Sequence, residues 1–238
     1  MRNVIGVLGT GKTGGEVLNR LRASGKLDIV TFDSQNPPNA ETWQRLDAAI
    51  CFLPGPAFLS YFDLLIAHPV PMVIGSTGYE LSKEQSKRIE ALPCPWVMSS
   101  NFSLGMALAK SVITLMSSWA AQSGLPLESS ISETHHVHKK DAPSGTALLW
   151  KRWATEAAGT NAPKIDIESH RVEDHCGLHE YRLALPQETM TFKHDAASRG
   201  VFAEGAVWAL EKILAGAARP GRNDFFDLIQ RSLKEGTP

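Results

Sequence analysis

The segment that most constrains the fold lies at the start of the chain. An apolar run at residues 4–8 leads directly into the glycine-rich loop Gly9-Thr10-Gly11-Lys12-Thr13-Gly14, and an amphipathic pattern follows. In a strand–loop–helix unit, Gly9 permits the tight turn, Gly11 lets the backbone approach a pyrophosphate, and Gly14 lets the helix pack on the strand. The helix start then offers free N–H groups to phosphate. This pattern predicts a dinucleotide-binding unit.

Asp33 adds to this prediction because it ends the next strand candidate, at residues 29–32, 19 residues after Gly14. A carboxylate at this place accepts hydrogen bonds from an adenosine ribose. Ser34 follows Asp33 and no arginine is adjacent, which slightly favours NADH over NADPH, although Lys12 or Arg22 would also meet a 2′-phosphate. The alternative interpretation is a glycine turn that only packs a helix, with Asp33 as an ordinary loop acid.

The first hundred residues alternate apolar strand candidates with helical segments. Strands are predicted at residues 4–8, 29–32, 48–52, 71–74 and 96–98, and helices between them include 58–67 and 83–91. Continuous apolar strands separated by helices indicate an α/β fold with a Rossmann-type parallel sheet that is covered on both faces.

The pattern changes after residue 100. A long helix is predicted at 104–119, and strands are then grouped at 127–135, 165–170, 181–185 and 188–194. One strong helix interrupts these strands, at 144–158, and closing helices follow at 201–215 and 224–233. Grouped strands predict a second α+β domain with a mixed or antiparallel sheet.

The stretch ETHHVHKKDAPSGTA, at residues 133–147, carries most of the chemistry. Strand alternation from Ile131 places His135 and Val137 on one face, and His136 and His138 on the other. Asp141 or Ser144 would then cap the coming helix, with Pro143 in its first turn.

The backbone amides of Gly145 and Thr146 would be unpaired at the start of that helix. A substrate carboxylate there would meet N–H donors, the helix dipole and a lysine ammonium, while a histidine could supply a proton near neutral pH. The alternative is that these histidines and lysines are packed or solvated residues without a catalytic role.

A zinc site is a further alternative for the histidines. Its ligands would be His135 or His136 together with a second cluster, formed by His170, His175, Cys176 and His179. The spacings match no well-known structural zinc motif, so no metal is expected.

Bulk properties exclude several classes of function. A formal net charge of −1 gives no general argument for nucleic-acid binding, and the three cysteines are an odd number that predicts no disulfide framework. The N-terminal apolar run leads into a glycine loop and not a cleavage site, and no run of about 18 uninterrupted apolar residues is present. We therefore expect a cytoplasmic protein that binds neither nucleic acid nor membrane.

Four segments together resemble one family, 4-hydroxy-tetrahydrodipicolinate reductase (dihydrodipicolinate reductase). The family motif E-x-H-H-x-x-K-x-D-A-P-S-G-T-A is matched at every fixed position from Glu133. Residues 73–78 (VIGSTG) resemble the family's V-I-G-T-T-G, and residues 101–105 (NFSLG) resemble N-F-S-x-G. Residues 194–206 (HDAASRGVFAEGA) resemble H-x-A-x-S-R-x-x-F-A-x-G-A.

The resemblance implies a nicotinamide-binding Rossmann domain and a substrate domain whose open mixed sheet builds a homotetramer. It also implies that the last helices return to the first domain, which gives 1–102 plus 207–238 as the dinucleotide-binding domain and 103–206 as the substrate-binding and oligomerisation domain.

The resemblance also assigns roles to individual residues. His135 is the implied acid/base and Lys139 the proton donor or charge stabiliser. His136 contacts one substrate carboxylate, and the amides of Gly145 and Thr146 hold the other. The nicotinamide side would be lined by Gly75, Ser76, Thr77, Ser99, Ser100, Asn101 and Phe102.

The chain departs from the family pattern in the cofactor half. The glycine loop is one residue tighter than the usual G-x-x-G-x-x-G, and Leu53 stands where the family often has a hydroxyl. Neither departure touches the histidine–lysine motif.

The expected activity is reduction of 4-hydroxy-tetrahydrodipicolinate to tetrahydrodipicolinate by NADH or NADPH, in the biosynthesis of lysine and diaminopimelate. The alternatives are another nicotinamide dehydrogenase of the aspartate-dehydrogenase type and a non-catalytic sensor that binds dinucleotide.

Overall fold

Two sheets, one in each of two structural units, organise the chain. The computed structural model describes residues 2–162, 164–173 and 175–234. The first unit runs up to Leu104 and resumes at Arg199, while the second unit is Gly105–Ser198. The sequence-based boundaries were placed nearby, at residues 102 and 207.

The described residues form ten strands, a short 3-10 turn at Gly159–Asn161 and eight α-helices. The strands are β1 (Val4–Leu8), β2 (Asp28–Phe32), β3 (Ala48–Cys51), β4 (Met72–Ile74), β5 (Pro95–Met98), β6 (Glu128–His135), β7 (Ile165–Arg171), β8 (Leu178–Ala184), β9 (Thr189–Asp195) and β10 (Gly221–Asp224). The helices are α1 (Lys12–Ser24), α2 (Ala40–Trp43), α3 (Gly55–Ala67), α4 (Lys83–Glu90), α5 (Leu104–Ser123), α6 (Gly145–Ala158), α7 (Gly200–Leu214) and α8 (Phe225–Lys234).

The first unit contains a six-stranded sheet with the order β10-β5-β4-β3-β1-β2, and every pair in it is parallel. This confirms the predicted parallel sheet. The chain leaves β1 toward β2 on one side and reaches β3 on the other, so the order reverses beside β1. Because all strands are parallel, the loops that follow their carboxyl ends share one edge, where ligands bind in such sheets.

The apolar strands are explained by burial on both faces. All four residues of β3 are buried, as are the last four of β1. Buried side chains of α2, α3 and α4 form one apolar cluster with those of the sheet, and the cluster includes Trp43 on α2, Phe58 on α3 and Trp96 on β5. Helix α7 packs against α1, β3 and β4, which explains why the chain returns to this unit before residue 207.

Strand β10 was not predicted from the sequence. The segment at residues 218–221 reads as Pro/Gly punctuation before a closing helix, whereas residues 221–224 pair with β5 at the sheet edge. The strand is short and polar, as edge strands often are, so it carries no apolar period.

The second unit contains a four-stranded mixed sheet with the order β7-β6-β8-β9. Strands β6 and β7 are parallel, whereas β6–β8 and β8–β9 are antiparallel. On α5, the Ser117 Oγ lies 2.8 Å from the Tyr181 hydroxyl of β8, and Ser118 donates to the Ala157 carbonyl of α6 at 3.2 Å. This confirms the open mixed sheet, with its alternate residues buried on the face that α5 and α6 cover.

Helix α5 is, within the described ranges, the one helix whose length and composition would allow it to cross a membrane. Its mean hydropathy is 1.3, and 39% of that stretch is buried in the protein. A core helix has the same properties, and the contacts of Ser117 and Ser118 show that α5 packs on the second sheet.

Two adjacent glycines in α1 give a matched test of the close contact between loop and helix. A Cβ at Gly14 would lie 1.8 Å from the Gly9 carbonyl oxygen, whereas a Cβ at Gly15 would lie 3.7 Å from the nearest atom, the Thr10 carbonyl oxygen. Gly14→Ala is expected to lower the free energy of unfolding by about 2 kcal/mol or more, because helix and loop must separate. Gly15→Ala is expected to raise it by up to about 1 kcal/mol through helix propensity. Urea unfolding of both variants measures this, and equal effects would contradict the close contact.

Candidate active site

A cleft of about 520 Å³ opens at the carboxyl edge of the first sheet. It contains every residue of the predicted glycine loop together with Asp33, Gly75 and Thr77. Its lining residues are Gly9, Thr10, Gly11, Lys12, Thr13, Gly14, Asp33, Ser34, Phe52, Leu53, Pro54, Gly75, Thr77 and Arg199. These residues follow β1, β2, β3 and β4, with Arg199 added from the start of α7.

The glycine loop has the local geometry that phosphate binding requires. Gly9 has a φ of +86°, in the left-handed region, and its N–H donates to the Phe32 carbonyl at 3.0 Å. Gly11 is the N-cap of α1 and makes no side-chain cap hydrogen bond, so the first-turn amides face outward without a capping acceptor. The first turn also holds no acidic residue, which leaves the positive end of the helix dipole uncompensated.

Asp33 is held in place by the turn that follows it. Its Oδ1 accepts hydrogen bonds from the backbone N–H groups of Gln35 and Asn36, both at 2.9 Å. One carboxylate oxygen thus fixes the side chain at the cleft, and Oδ2 takes no part in these two bonds. This is the place of the ribose-binding carboxylate in a dinucleotide site.

Five predicted cofactor residues do not line the cleft. Ser76 is buried, with its Oγ 3.4 Å from the Cys51 Sγ. The remaining four, Ser99 to Phe102, follow the end of β5 at the same sheet edge. Within that segment the Ser99 Oγ donates to the Asn101 carbonyl at 2.7 Å, and Phe102 is buried edge-on to Phe52. Their contact with a nicotinamide stays a prediction.

Arg199 is the charged residue that the sequence-based reasoning missed. It lines the cleft although it lies 185 or more residues from the glycine loop along the chain. The segment at 194–206 matched the family pattern, but neither periodicity nor spacing connected it with the loop. Only the packing of α7 on α1 brings this cation to the cleft.

In the second unit, the histidine–lysine motif begins on β6 and continues into a turn. The strand ends at His135, and the Lys139 N–H donates to the His136 carbonyl at 3.1 Å. The predicted alternation therefore holds through His135 but was wrong for Val137, which lies in the turn and is exposed. His136 and His138 lie in the same turn, with ring centroids 6.2 Å apart.

Glu133 is the most buried charged residue of the motif, with no exposed surface. Its Oε1 accepts from the Ser144 backbone N–H at 3.0 Å and from Nη2 of Arg171 at 3.3 Å. Its Oε2 lies 3.0 Å from Nδ1 of His135 and 3.8 Å from Nε2 of His179. Burial acts to raise the pKa of Glu133, but hydrogen bonds from Ser144 and Ser169 outweigh it and lower the pKa below its usual value.

The two histidines beside Glu133 resist protonation. Burial lowers the pKa of His135, while the Glu133 carboxylate acts in the opposite direction. Burial and the neighbouring His135 lower the pKa of His179 to about 3, so His179 is neutral at physiological pH. Nε2 of His179 lies 3.2 Å from the Ser144 Oγ, which ties this ring to the start of α6. The Glu133 carboxylate acts more closely on His135 than on His179, since its Oε2 lies 3.0 Å from the first ring and 3.8 Å from the second.

Lys139 forms an ion pair with Asp141, with 2.9 Å between Nζ and Oδ1. The hydrogen bond from Lys139 is the main cause that lowers the pKa of Asp141, and the backbone N–H of Gly145 contributes as well. Asp141 is thus bound to Lys139 and does not cap α6. Ser144 is the N-cap, and its Oγ accepts from the Ala147 N–H at 3.1 Å. At the start of α6, Gly145 is exposed and Thr146 partly buried, and the Gly145 N–H faces the Asp141 carboxylate.

Of the considered zinc ligands, the structure brings together only His135 and His179 among the residues that it describes. Among the described residues, the group of three that could hold a metal ion is Glu133, His135 and His179, with ligand atoms within 4.8 Å of one another. His170, His175 and Cys176 do not belong to it. The carboxylate in this group is already paired with Arg171, so its charge is balanced by a protein cation.

Comparisons with known proteins agree with the two-unit architecture and the motif. The family described as "Dihydrodipicolinate reductase, C-terminus" matches residues 104–229, which is more than half of the chain. This region includes the whole histidine–lysine motif.

Relatives match nearly the whole chain. The 4-hydroxy-tetrahydrodipicolinate reductase of Xanthomonas campestris pv. campestris (strain B100) is 34% identical over 215 residues, covering 90% of this chain and 85% of that protein. The 4-hydroxy-tetrahydrodipicolinate reductase of Bdellovibrio bacteriovorus is 28% identical over 232 residues, covering 94% of this chain and 95% of that protein.

Solved structures show the same fold. The dipicolinate-bound dihydrodipicolinate reductase of Paenisporosarcina sp. TG-14 has a TM-score of 0.74 at 21% identity, covering 94% of this chain and 98% of that chain. Together with the family match and the relatives, the fold confirms the resemblance seen in the motifs. The chain belongs to the 4-hydroxy-tetrahydrodipicolinate reductase (dihydrodipicolinate reductase) family.

Proposed function

We propose that this protein reduces 4-hydroxy-tetrahydrodipicolinate to tetrahydrodipicolinate with NADH or NADPH, in the cytoplasm, as a step of lysine and diaminopimelate biosynthesis. The observation that carries the proposal is the complete histidine–lysine motif at an accessible helix start, in a chain that also has a dinucleotide cleft. Family membership favours this reaction over that of an aspartate-dehydrogenase-type enzyme.

The cofactor site is the cleft of the first unit. Amides of the Gly9–Gly14 loop would hold the pyrophosphate, and Arg199 adds a cation to the same cleft. Oδ2 of Asp33 would accept from the adenosine ribose. The bound cofactor supplies a hydride from nicotinamide C4.

The substrate site is the start of α6 and the turn before it. Lys139 and His136 would contact one carboxylate of the substrate, while the Gly145 and Thr146 amides would hold the other. The Lys139 ammonium must then leave Asp141, its partner in the free protein. Pairing a dianion with these donors stabilises the charge that develops on the substrate when hydride arrives.

The reaction also requires a proton donor. The substrate loses its 4-hydroxyl as water, one ring carbon gains a hydride, and the neighbouring carbon gains a proton. His135 or Lys139 would deliver that proton, since both side chains belong to the motif beside the proposed substrate site. The balance is one substrate, one reduced cofactor and one proton for one product, one oxidised cofactor and one water.

Lys139→Ala is expected to lower kcat/KM by about several hundred-fold, because a charge-assisted contact and a proton source are lost together. The assay follows oxidation of NADH and NADPH at 340 nm, with substrate generated from pyruvate and aspartate semialdehyde by a synthase. Lys140→Ala is the matched control, since it removes the same charge at the next, exposed position, and little change is expected. Near-normal turnover of Lys139→Ala would remove Lys139 from the mechanism, and cofactor binding without turnover in the wild type would favour the sensor alternative.

We further propose that NADH is preferred over NADPH. The Asp33 carboxylate repels a 2′-phosphate, so the ratio of kcat/KM for the two cofactors is expected to favour NADH. Asp33→Asn keeps the acceptor for Gln35 and Asn36 but removes the charge, and should reduce that ratio about tenfold, equivalent to about 1.4 kcal/mol. A wild-type preference for NADPH would contradict this proposal.

A homotetramer is proposed as the assembly. The mixed sheet of the second unit is open, and its uncovered face carries partly accessible residues of β6, including Ser130, Ser132 and Thr134. Light scattering after size exclusion is expected to give about four times the chain mass of 25.9 kDa. The mass of a single chain would contradict the proposal.

A further inference from the structure

Glu133 is a buried charge to which the proposed function gives no direct task. It has no exposed surface and therefore cannot bind substrate in this conformation. A buried carboxylate is costly unless other groups compensate for it. Its two oxygens are used differently, since Oε1 faces Arg171 and the Ser144 N–H while Oε2 faces the imidazoles of His135 and His179.

His135 is held between this carboxylate and the backbone of Gly177. Its Nδ1 is buried and lies 3.0 Å from Oε2 of Glu133, although the two atoms are not aligned as a hydrogen bond in this conformation. On the opposite edge of the ring, a Cβ at Gly177 would already lie 3.2 Å from Nε2. The carboxylate charge 3.0 Å away favours a hydrogen on Nδ1 and disfavours a lone pair there. Neutral His135 therefore keeps its hydrogen on Nδ1, which leaves Nε2 as the nitrogen that gains or loses a proton.

Arg171 connects the same carboxylate to the turn that carries Lys139. Its guanidinium donates to Oε1 of Glu133 and, through Nε, to the Lys139 carbonyl at 3.3 Å. It also donates to the carbonyls of Asp141 and His170. One guanidinium thus fixes the backbone on both sides of Lys140, and Glu133 fixes the guanidinium.

We infer that Glu133 is a positioning residue that sets the tautomer and the proton affinity of His135, and that Arg171 couples this setting to the backbone of Lys139. The inference rests on the proposed function and adds a residue that acts through His135 without touching the substrate. It explains why a carboxylate is buried in this unit, since only a charge that is shielded from water acts strongly on a neighbouring imidazole.

The groups that bear on His135 come from every element around it. They are Glu133 on β6, Lys139 and Asp141 in the turn, Arg171 on β7, His179 on β8 and, through His179, His194 on β9. Arg171 and Lys139 oppose protonation of His135, as does its burial. Glu133 and Asp141 favour it, and of these two Glu133 is the larger influence and is fully buried.

The experiment is NMR titration of ¹⁵N-labelled histidine side chains in the wild type and in Glu133→Gln. Glutamine keeps a carbonyl oxygen for the Ser144 N–H but has no charge. Without that charge the protonated form of His135 loses its stabiliser, so the titration midpoint is expected to move to lower pH. In neutral wild-type His135 the hydrogen is expected on Nδ1.

Glu168→Gln is the matched control. Glu168 and His170 form a histidine–carboxylate pair on β7 at 3.9 Å, and both side chains are more than half exposed. The same chemical change there removes a charge that water screens, so the titration of His135 and the turnover should match the wild type.

Kinetics give the second readout. If catalysis requires the protonated form of His135, kcat falls as the pH rises through the pKa of His135. In Glu133→Gln this fall in kcat is therefore expected at lower pH than in the wild type. At the wild-type optimum, kcat should be lower by about tenfold or more, with the KM for NADH unchanged. A variant that is merely less stable would lose activity without moving the pH profile.

Two results would overturn the inference. One is an unchanged titration of His135 in a folded Glu133→Gln variant. The other is a neutral wild-type His135 with its hydrogen on Nε2, and this measurement decides the question even if the variant does not fold. Both are independent of turnover, whereas failure of the proposed reaction would show as absence of wild-type reductase activity with the NMR result intact.

Discussion

The second unit is organised around one buried negative charge. Glu133 lies on the central part of its sheet, between the parallel partner β7 and the antiparallel partner β8. It is compensated by Arg171 from β7 and by the Ser144 backbone N–H just before α6, and two imidazoles lie beside it. Because removal of one partner from such a network leaves an uncompensated charge, the strand, the turn and the helix start hold one another in register.

In the proposed function, the two halves would bind anions by different physical means. In the first unit the donors are backbone N–H groups at a helix start, placed by a sharp turn at Gly9, so the chemistry lies in the backbone geometry. In the second unit the proposed donors include side chains as well as amides, and they lie beside other charged groups, as Lys139 does with Asp141. A diphosphate that is always charged suits the first arrangement, and a substrate that must receive a proton suits the second.

Much of this architecture was predictable because it is written in local patterns. A few consecutive residues are enough to predict each of three features: the five apolar strands, the glycine loop with Asp33, and the motif from Glu133. Strand β10 and Arg199 did not, since a polar edge strand has no period and a residue distant in sequence reaches the cleft only through helix packing. The burial of Glu133 could not be predicted either, because a pattern match shows that a carboxylate is present and not that it is buried.

The pairing of Lys139 with Asp141 bears on selectivity. In the free protein the lysine already holds a carboxylate that is tethered two residues away along the chain. A monocarboxylate that binds there exchanges one ion pair for another and gains little. A ligand with a second carboxylate also engages the start of α6, and this additional contact makes the exchange favourable. In the proposed site the Asp141 carboxylate would thus weaken the binding of mono- and dianions alike, and only the dianion would recover enough free energy from its second contact to bind well.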